Sequence, residues 1–416
     1  MSNILVRKTD ILSGRVSVSG AKNAVLPIMA AALLTDEKSV ILNVPNLSDV
    51  RLMQNLLKNM GCGISVHKDR LTIKNSENIT DIAPYELINK MRGSFLLSGA
   101  VLAKKGHIQI SLPGGCPIGT RPIDLHLKGF SALGADITQC HGYIDITAPK
   151  LCGAKIYLDF PSVGATENIM IASCLADGET IIENAAAEPE IVDLADFLRR
   201  MGAVISGDGS NTIKIIGVPE LHGTTHTVIP DRIEAGTFMI AAAITGSHIF
   251  IDNIIPAHIK PITAKLREMG AVINENDTSI EINSRSPLCS TTIKTMPFPG
   301  FPTDMQAQFT ALMSVAEGTG VIVETIFENR FLHAAELNRM GADIKIDGRT
   351  AVVTGGQTLT GASVSATDLR AGASLILAGL AAHGSTQICN TNHIERGYDD
   401  IVGKLQALGA DIERTK

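Results

Sequence analysis

Tryptophan is absent from this 416-residue chain, tyrosine occurs four times, and only 19% of the residues are charged. Proteins that read nucleic acid need positive charge and aromatic platforms for the bases. A chain with a net charge of −6 and so few rings has neither, so no nucleic-acid partner is expected. Long apolar runs are also missing: Val25–Leu34 falls well short of the ~18 residues of a membrane span, so no membrane insertion is expected. The N-terminal MSNILVRKTD has no long apolar core of a secretory signal. Seven cysteines (62, 116, 140, 152, 174, 289 and 389) are scattered, with no CxxC and no close Cys/His pair. Neither a disulfide framework nor a metal site follows, and the 11 histidines show no metal-like spacing. Neither GxxxxGK[ST] nor GxGxxG occurs in a strand–helix context, which excludes a P-loop and a Rossmann cofactor site. A reduced, cytoplasmic, two-domain protein is expected.

What the chain does contain is a phrase repeated six times: LLKNMGCGI, GFSALGADI, FLRRMGAVI, KLREMGAVI, ELNRMGADI and KLQALGADI. Its marker glycines, Gly61, Gly134, Gly202, Gly270, Gly341 and Gly409, are 73, 68, 68, 71 and 68 residues apart. A fixed period of this kind means a repeated supersecondary unit. Each marker reads as a left-handed glycine cap that ends an amphipathic helix ahead of a strand. Outward from the marker, each repeat reads as βαβαββ. It opens with a strand (Val16–Val18, Ile156–Leu158, Thr227–Ile229, Thr292–Lys294 or Ala362–Ser365), followed by an alanine-rich helix that is apolar on most sides. The second repeat has no clear first strand. The sixth carries one strand of its final hairpin, Ala410–Arg414, and the surplus strand Ile4–Arg7 is expected to supply the other. Six repeats exceed one core, so three plus three is expected: an N-terminal domain over 22–229, and a C-terminal domain of 1–21 with 230–416.

In α/β repeats ligands sit where strand ends feed helix starts. The first such loops carry Lys22, Asn23, Arg92, Ser162–Thr166, Arg232, Asp304 and Arg370, and the second carry Ser48, Cys116, Arg121, Glu188, Arg330 and Arg396. Cations recurring at equivalent places in an acidic chain point to a small polyanionic ligand. The loop SLPGGCPIGTRP, from Ser111 to Pro122, makes the second connection of repeat two the longest compared: 24 residues from Ile110 to Gly134, against 18 to 21 for two others. An extended glycine-hinged loop holding Cys116 beside Arg121 is a lid candidate, with the arginine favouring the thiolate. Asp304, in FPTDMQAQ, reads first as a helix N-cap. Glu188, Glu190 and Asp193 read as carboxylates at a helix start, and His126 reads as structural.

The segments SGAKNAVLPI, SLPGGCPIGTRPIDLH, SVGATENIM, IIENAAAEPEIVD, PDRIEAGTF, FPTDMQAQF, ENRF and ATDLRA together resemble the enolpyruvyl transferase family, in its UDP-N-acetylglucosamine branch. The resemblance runs over essentially the whole chain. It implies two inverse α/β barrels of three βαβαββ units each, with the active site between them. It also implies transfer of enolpyruvyl from phosphoenolpyruvate to the 3-hydroxyl of UDP-N-acetylglucosamine, the first committed step of peptidoglycan synthesis, with no metal or organic cofactor. By motif, Lys22, Arg92, Arg121 and Arg396 resemble the family's cation cluster, and Asn23 its sugar contact. Arg121, Pro122, Ile123, Asp124 and Leu125 resemble a uridine strap, and Ser162, Val163 and Gly164 a diphosphate cradle. Asp304 and Ile326 match positions contacting the amino sugar, and Arg330 and Arg370 match basic residues of the C-terminal domain. Cys116 resembles the general acid and Asp304 the base. Ser48 departs from the family, whose well-known members have lysine there; Arg51 is a candidate substitute. The nearest rival is an enzyme acting on shikimate 3-phosphate, and a rival of another class is a silent paralogue that only binds the nucleotide sugar. The oligomeric state is left open.

Overall fold

Six segments rich in alanine and leucine form helices with almost no exposed side. Every residue from Ala165 to Ser173 of helix Val163–Ser173 is buried, as is every residue from Ile233 to Ile244 of Arg232–Ile244. A helix without a polar face has to be enclosed by other elements. The computed structural model describes residues 3–415 apart from 77, 78, 113, 115–117, 120, 121 and 141, and it shows how the enclosure is made. Helices Lys22–Ala31, Leu97–Lys105 and Val163–Ser173 pack on one another in one hydrophobic core. Helices Arg232–Ile244, Gln306–Val315 and Leu369–Ala381 do the same in a second, separate core.

The chain groups accordingly. Gly20 through Ile229 forms one compact unit, except that Ile118 and Gly119 group with the other; that other unit holds the residues up to Ser19 and from Pro230 onward. Among the described residues the strands form six sheets, five of four strands and one of three. The third repeat shows the pattern. Lys155–Tyr157 pairs parallel with Glu179–Glu183, which pairs antiparallel with Thr212–Ile216, the second strand of a hairpin begun by Val204–Ser206. Strand faces alternate, one side on the helices and one toward solvent, as in Thr212–Ile216, where Ile213 and Ile215 point inward. The result is an α/β fold of two inverse barrels, with central helices lined by sheets.

The amphipathic helices Ser48–Asn59, Asp124–Ala132, Pro189–Arg200, Lys260–Met269, Leu332–Arg339 and Ile401–Ala407 stop just before the marker glycines. All six glycines are left-handed, with φ from 95° to 111°. The N–H of Gly61 reaches the carbonyl of Lys58 and that of Cys62 reaches Leu57, the paired bonds of a Schellman cap, and Gly270 and Ala271 repeat them on Arg267 and Leu266.

One feature differs from the sequence expectation, and one gap in it is explained. The first and fourth repeats exchange their opening strands. Ser13–Ser17 pairs parallel with His248–Asp252 of the fourth repeat, while Thr225–Thr227 pairs parallel with Ser39–Leu42 of the first. Each exchanged strand lies just before the chain passes from one unit to the other. Repeat two keeps only a three-stranded sheet, and the missing strand is reduced to one bridge between Ile82 and Gln109. The sixth repeat closes as expected: Asn3–Arg7 lies between Ser385–Cys389 and Ile412–Thr415, antiparallel to both.

That closure makes the first strand part of the last repeat's core, where Ile4 is 1% exposed. Ile4→Ala should therefore lower the unfolding free energy by about 2–5 kcal/mol, read from urea denaturation. A loss below about 0.5 kcal/mol would mean that the strand is dispensable.

Candidate active site

The cationic and polar residues of the first loops all gather at one kind of place, the start of a central helix. Lys22 is the first residue of Lys22–Ala31 and Arg232 the first of Arg232–Ile244; Arg370 is the second of Leu369–Ala381. Arg92 and Asp304 sit in short 3-10 turns, Arg92–Leu96 and Thr303–Met305, that lead into Leu97–Lys105 and Gln306–Val315. Ser162 is the N-cap of Val163–Ser173, its Oγ accepting from the N–H of Ala165 at 3.4 Å. Helix starts present unbonded N–H groups and partial positive charge, so each is suited to an anion or a polar substrate atom.

Gly20 shows why Lys22 sits where it does. A Cβ on Gly20 would come within 1.8 Å of the carbonyl oxygen of Asn43, so only glycine lets the chain pass this close before turning into the helix. Lys22 Nζ lies 3.5 Å from Asp49 Oδ2, with the aspartate almost fully buried. Asn23, next along the helix, is exposed. Arg92 donates from Nη2 to the carbonyl of Pro122 at 2.9 Å, and so ties the first loop of repeat two to the segment Pro122, Ile123, Asp124, Leu125. Pro122 and Asp124 are exposed, Leu125 is half-buried and Ile123 is buried. Cys116 and Arg121 lie outside the described residues. Of the other thiols, Cys62 and Cys174 are buried, and that burial pushes each up to about 12, which leaves them inert.

In the C-terminal unit the expected residues meet directly. Asp304 accepts from Arg330 Nη2 on Oδ1 at 2.7 Å, and on Oδ2 from Arg370 Nη2 at 2.8 Å and Nε at 3.2 Å. Burial alone would raise the Asp304 carboxyl. The charges of Arg370 and Arg330, with their hydrogen bonds, outweigh it and hold the group well below the ordinary carboxylate range. Asp304 makes no N-cap bond, so the capping reading gives way to this ion triad. Arg370 stacks over Tyr398 at 5.4 Å and leaves Nη1 buried without a hydrogen bond among the described residues. Ile326 is half-buried at the end of the next strand's loop, and Arg396 is half-buried at the end of the 3-10 turn Thr391–Arg396. No group of three or more His, Cys, Asp or Glu among the described residues is arranged to hold a metal, and no helix among them is long and apolar enough to cross a membrane.

The family model for EPSP synthase (3-phosphoshikimate 1-carboxyvinyltransferase) matches residues 6–405. The chain belongs to the EPSP synthase family. Within it, this family member is 58% identical to a protein of Caldanaerobacter subterraneus subsp. tengcongensis named UDP-N-acetylglucosamine 1-carboxyvinyltransferase 1, over 99% of each chain. It is 53% identical to UDP-N-acetylglucosamine 1-carboxyvinyltransferase of Halothermothrix orenii over the whole of both. Among solved structures it is similar to the enolpyruvyl transferase NikO of Streptomyces tendae, with a TM-score of 0.91 and 27% identity, covering 100% of this chain and 99% of that one.

Two residues of this family member escaped the sequence reading. Asp49 follows Ser48 directly and reaches back to Lys22; its signal was a lone carboxylate in a helix's first turn. Glu324 is 1% exposed and occupies the place after the second strand. In four other repeats that place holds a left-handed asparagine (Asn43, Asn184, Asn253 and Asn390). Glu324 accepts from Thr295 Oγ1 at 2.9 Å, Thr303 Oγ1 at 2.8 Å, and the N–H groups of Ile326 at 2.8 Å and Phe327 at 3.2 Å. Thr303 in turn accepts from Arg330 Nη1 at 3.1 Å, so one carboxyl orders the neighbours of Asp304 and the loop of Ile326. Arg51, the candidate substitute for the lysine missing at Ser48, points to its own loop. It is exposed, and its Nη1 donates to Asn46 Oδ1 at 2.5 Å. Asp193 is not a helix-start anion either: it accepts from His226 Nε2 at 2.9 Å and from the N–H of Ile229 at 3.3 Å.

The Asp304 triad has a pH signature. A carboxyl held low in the folded state contributes stability that is present above its unfolded value of about 3.9 and lost as pH falls through the folded value. Asp304→Asn should cost roughly 3 kcal/mol at pH 7, and the gap to the wild type should narrow only below about pH 4. Denaturation at several pH values reads this; a gap that narrows between pH 5 and 7 would contradict the low carboxyl.

Proposed function

We infer that the chain transfers the enolpyruvyl group of phosphoenolpyruvate to the 3-hydroxyl of UDP-N-acetylglucosamine and releases phosphate, as the first committed step of peptidoglycan synthesis, in the cytoplasm. The observation that carries the acceptor is the 58% identity, over 99% of each chain, to a relative named for that reaction. The two units correspond to an N-terminal domain, expected over 22–229 and beginning at Gly20 by its contacts, and a C-terminal domain formed by the residues before it with 230–416.

The reaction is an addition followed by an elimination. A proton goes to C3 of phosphoenolpyruvate while the sugar oxygen bonds to C2 and loses its own proton. C3 then gives up a proton, the C2–O bond to phosphate breaks, and the double bond re-forms. Cys116 is assigned as the acid that protonates C3. Asp304 takes the hydroxyl proton, and its geometry supports this. Among the described residues Oδ1 accepts only from Arg330, so it keeps a lone pair for the hydroxyl. The two arginines make Asp304 a weak base, but they also keep it ionised and fixed, so it is always ready to accept.

Lys22, Arg92, Arg121 and Arg396 bind the carboxylate and phosphate of phosphoenolpyruvate and hold flanking negative charge as an oxocarbenium-like centre develops. Ser162, Val163 and Gly164 take the diphosphate on the N–H groups of a helix start. Arg121, Pro122, Ile123, Asp124 and Leu125 line the uridine, while Asn23 and Ile326 contact the amino sugar. Arg330 and Arg370 hold Asp304.

The family model's own name supplies the second reading, a shikimate 3-phosphate acceptor. Phosphate release from phosphoenolpyruvate, measured with UDP-N-acetylglucosamine in one reaction and shikimate 3-phosphate in another, should occur only in the first. Release in the second alone would transfer the assignment to shikimate 3-phosphate, and silence in both with tight nucleotide-sugar binding would favour a non-catalytic binder. Cys116→Ser should lower turnover by about 10²–10⁴-fold with nucleotide-sugar binding intact by calorimetry. Lost binding would mean that Cys116 holds the ligand instead of acting as acid.

A further inference from the structure

His126 is 7% exposed and its hydrogen bonding leaves one nitrogen over. On one side the ring is committed. Asn168 Oδ1 accepts the N–H of Gly99 at 2.7 Å, which fixes the orientation of the amide and leaves Nδ2 facing Phe95 O, Ser98 Oγ and His126 Nδ1 at 3.0, 2.9 and 3.0 Å. The amide Nδ2 can only donate, so the ring nitrogen 3.0 Å from it must accept; a proton on Nδ1 would set two donors face to face. Nδ1 is therefore a lone-pair acceptor, and the single ring proton is on Nε2. The ring also packs edge-on against Phe95, at 5.1 Å and 90°.

Nε2 has no partner among the described residues, and its edge of the ring faces the start of helix Val163–Ser173. A Cβ on Gly164 would lie 3.3 Å from His126 Cε1 and 3.5 Å from Nε2. The N–H groups of Val163 and Gly164, first in the helix, have no intrahelical acceptor. Burial and the nearby charge of Arg92 push His126 down to about 3, so the ring stays neutral and keeps the orientation Asn168 imposes.

We propose that His126 is a further substrate-binding residue, a neutral imidazole locked by Asn168 as an Nε2–H donor, which joins the Val163 and Gly164 N–H groups in holding the diphosphate of the nucleotide sugar. The proposal rests on the function inferred above. It replaces the reading of His126 as structural, and it gives Gly164 a reason: any side chain there would crowd the ring from the anion.

The test uses the full chain with UDP-N-acetylglucosamine. In protein labelled with 15N-histidine, His126 should show the Nε2–H tautomer at pH 7 and remain neutral at pH 5, and its Nε2–H signal should move on adding the nucleotide sugar. His126→Asn keeps a polar atom near the Nδ1 position and loses the donor. It should raise the KM for UDP-N-acetylglucosamine about tenfold or more, with far less change in the KM for phosphoenolpyruvate. His126→Gln returns an N–H to the Nε2 position and should recover most of the loss. An Nδ1–H tautomer, an Nε2–H signal unmoved by ligand, or an unchanged KM in a folded His126→Asn variant would each overturn the assignment. Failure of the wild type to bind UDP-N-acetylglucosamine would overturn the functional reading itself, and this assignment with it.

Discussion

Three helices apolar on nearly every side cannot face water, and almost everything else in each unit follows from hiding them. Small residues are needed so that the helices can touch one another, which accounts for runs such as AAAL, MIAAAI and LAGLAA. Sheets must then cover the outside, which requires strands with one apolar face and one polar face. The only backbone groups of these helices that remain to be satisfied are at their ends. Each repeat built this way therefore carries polar groups at the N-terminus of its central helix, and Lys22, Arg92, Ser162, Arg232, Asp304 and Arg370 are all found there. The same packing that buries the core produces the places where an anion can bind.

The polar networks work because their members are held from several directions. Asp304 is fixed by Arg330 of its own repeat and Arg370 of the next, and Thr303 beside it is fixed by Glu324, which also orders the Ile326 loop. Breaking one member would leave a buried charge or N–H unmatched, a larger cost than the net value of any single bond. In the N-terminal unit Asn168 does comparable work with no charge at all. It spends its hydrogen bonds on Gly99, Ser98 and His126, joining two central helices to the helix that follows Pro122. Charged triads and neutral amides both achieve preorganisation here, and the choice between them matches the roles proposed for Asp304 and His126. A proton acceptor must be ionised, while a donor to a diphosphate needs only a fixed N–H.

Much of this was legible in the sequence. The six marker glycines, the helices they end and the all-apolar central helices depend on patterns within about ten residues, and local sterics decide them. Closure of the last repeat by the first strand was legible too, because a hairpin lacking one strand and a strand lacking a hairpin stood at opposite ends of the chain. The first-loop residues could be found by counting back from the glycines. Less legible was what each did once placed: Asp304 looked like a cap because a carboxylate ahead of a helix usually is one.

The residues by themselves therefore determined the repeat, the element types and the set of loops that carry chemistry, since these follow from period, turn chemistry and burial along a short stretch. Only the tertiary structure decided that repeats one and four trade their first strands, that Asp304 pairs with arginines 26 and 66 positions away, and that Glu324 and Asp49 reach Thr303 and Lys22. It also decided that His126 faces Gly164. These outcomes depend on distances between segments that are remote in sequence. No local pattern encodes them, because each is a choice between partners that only the packed cores bring within a few ångströms.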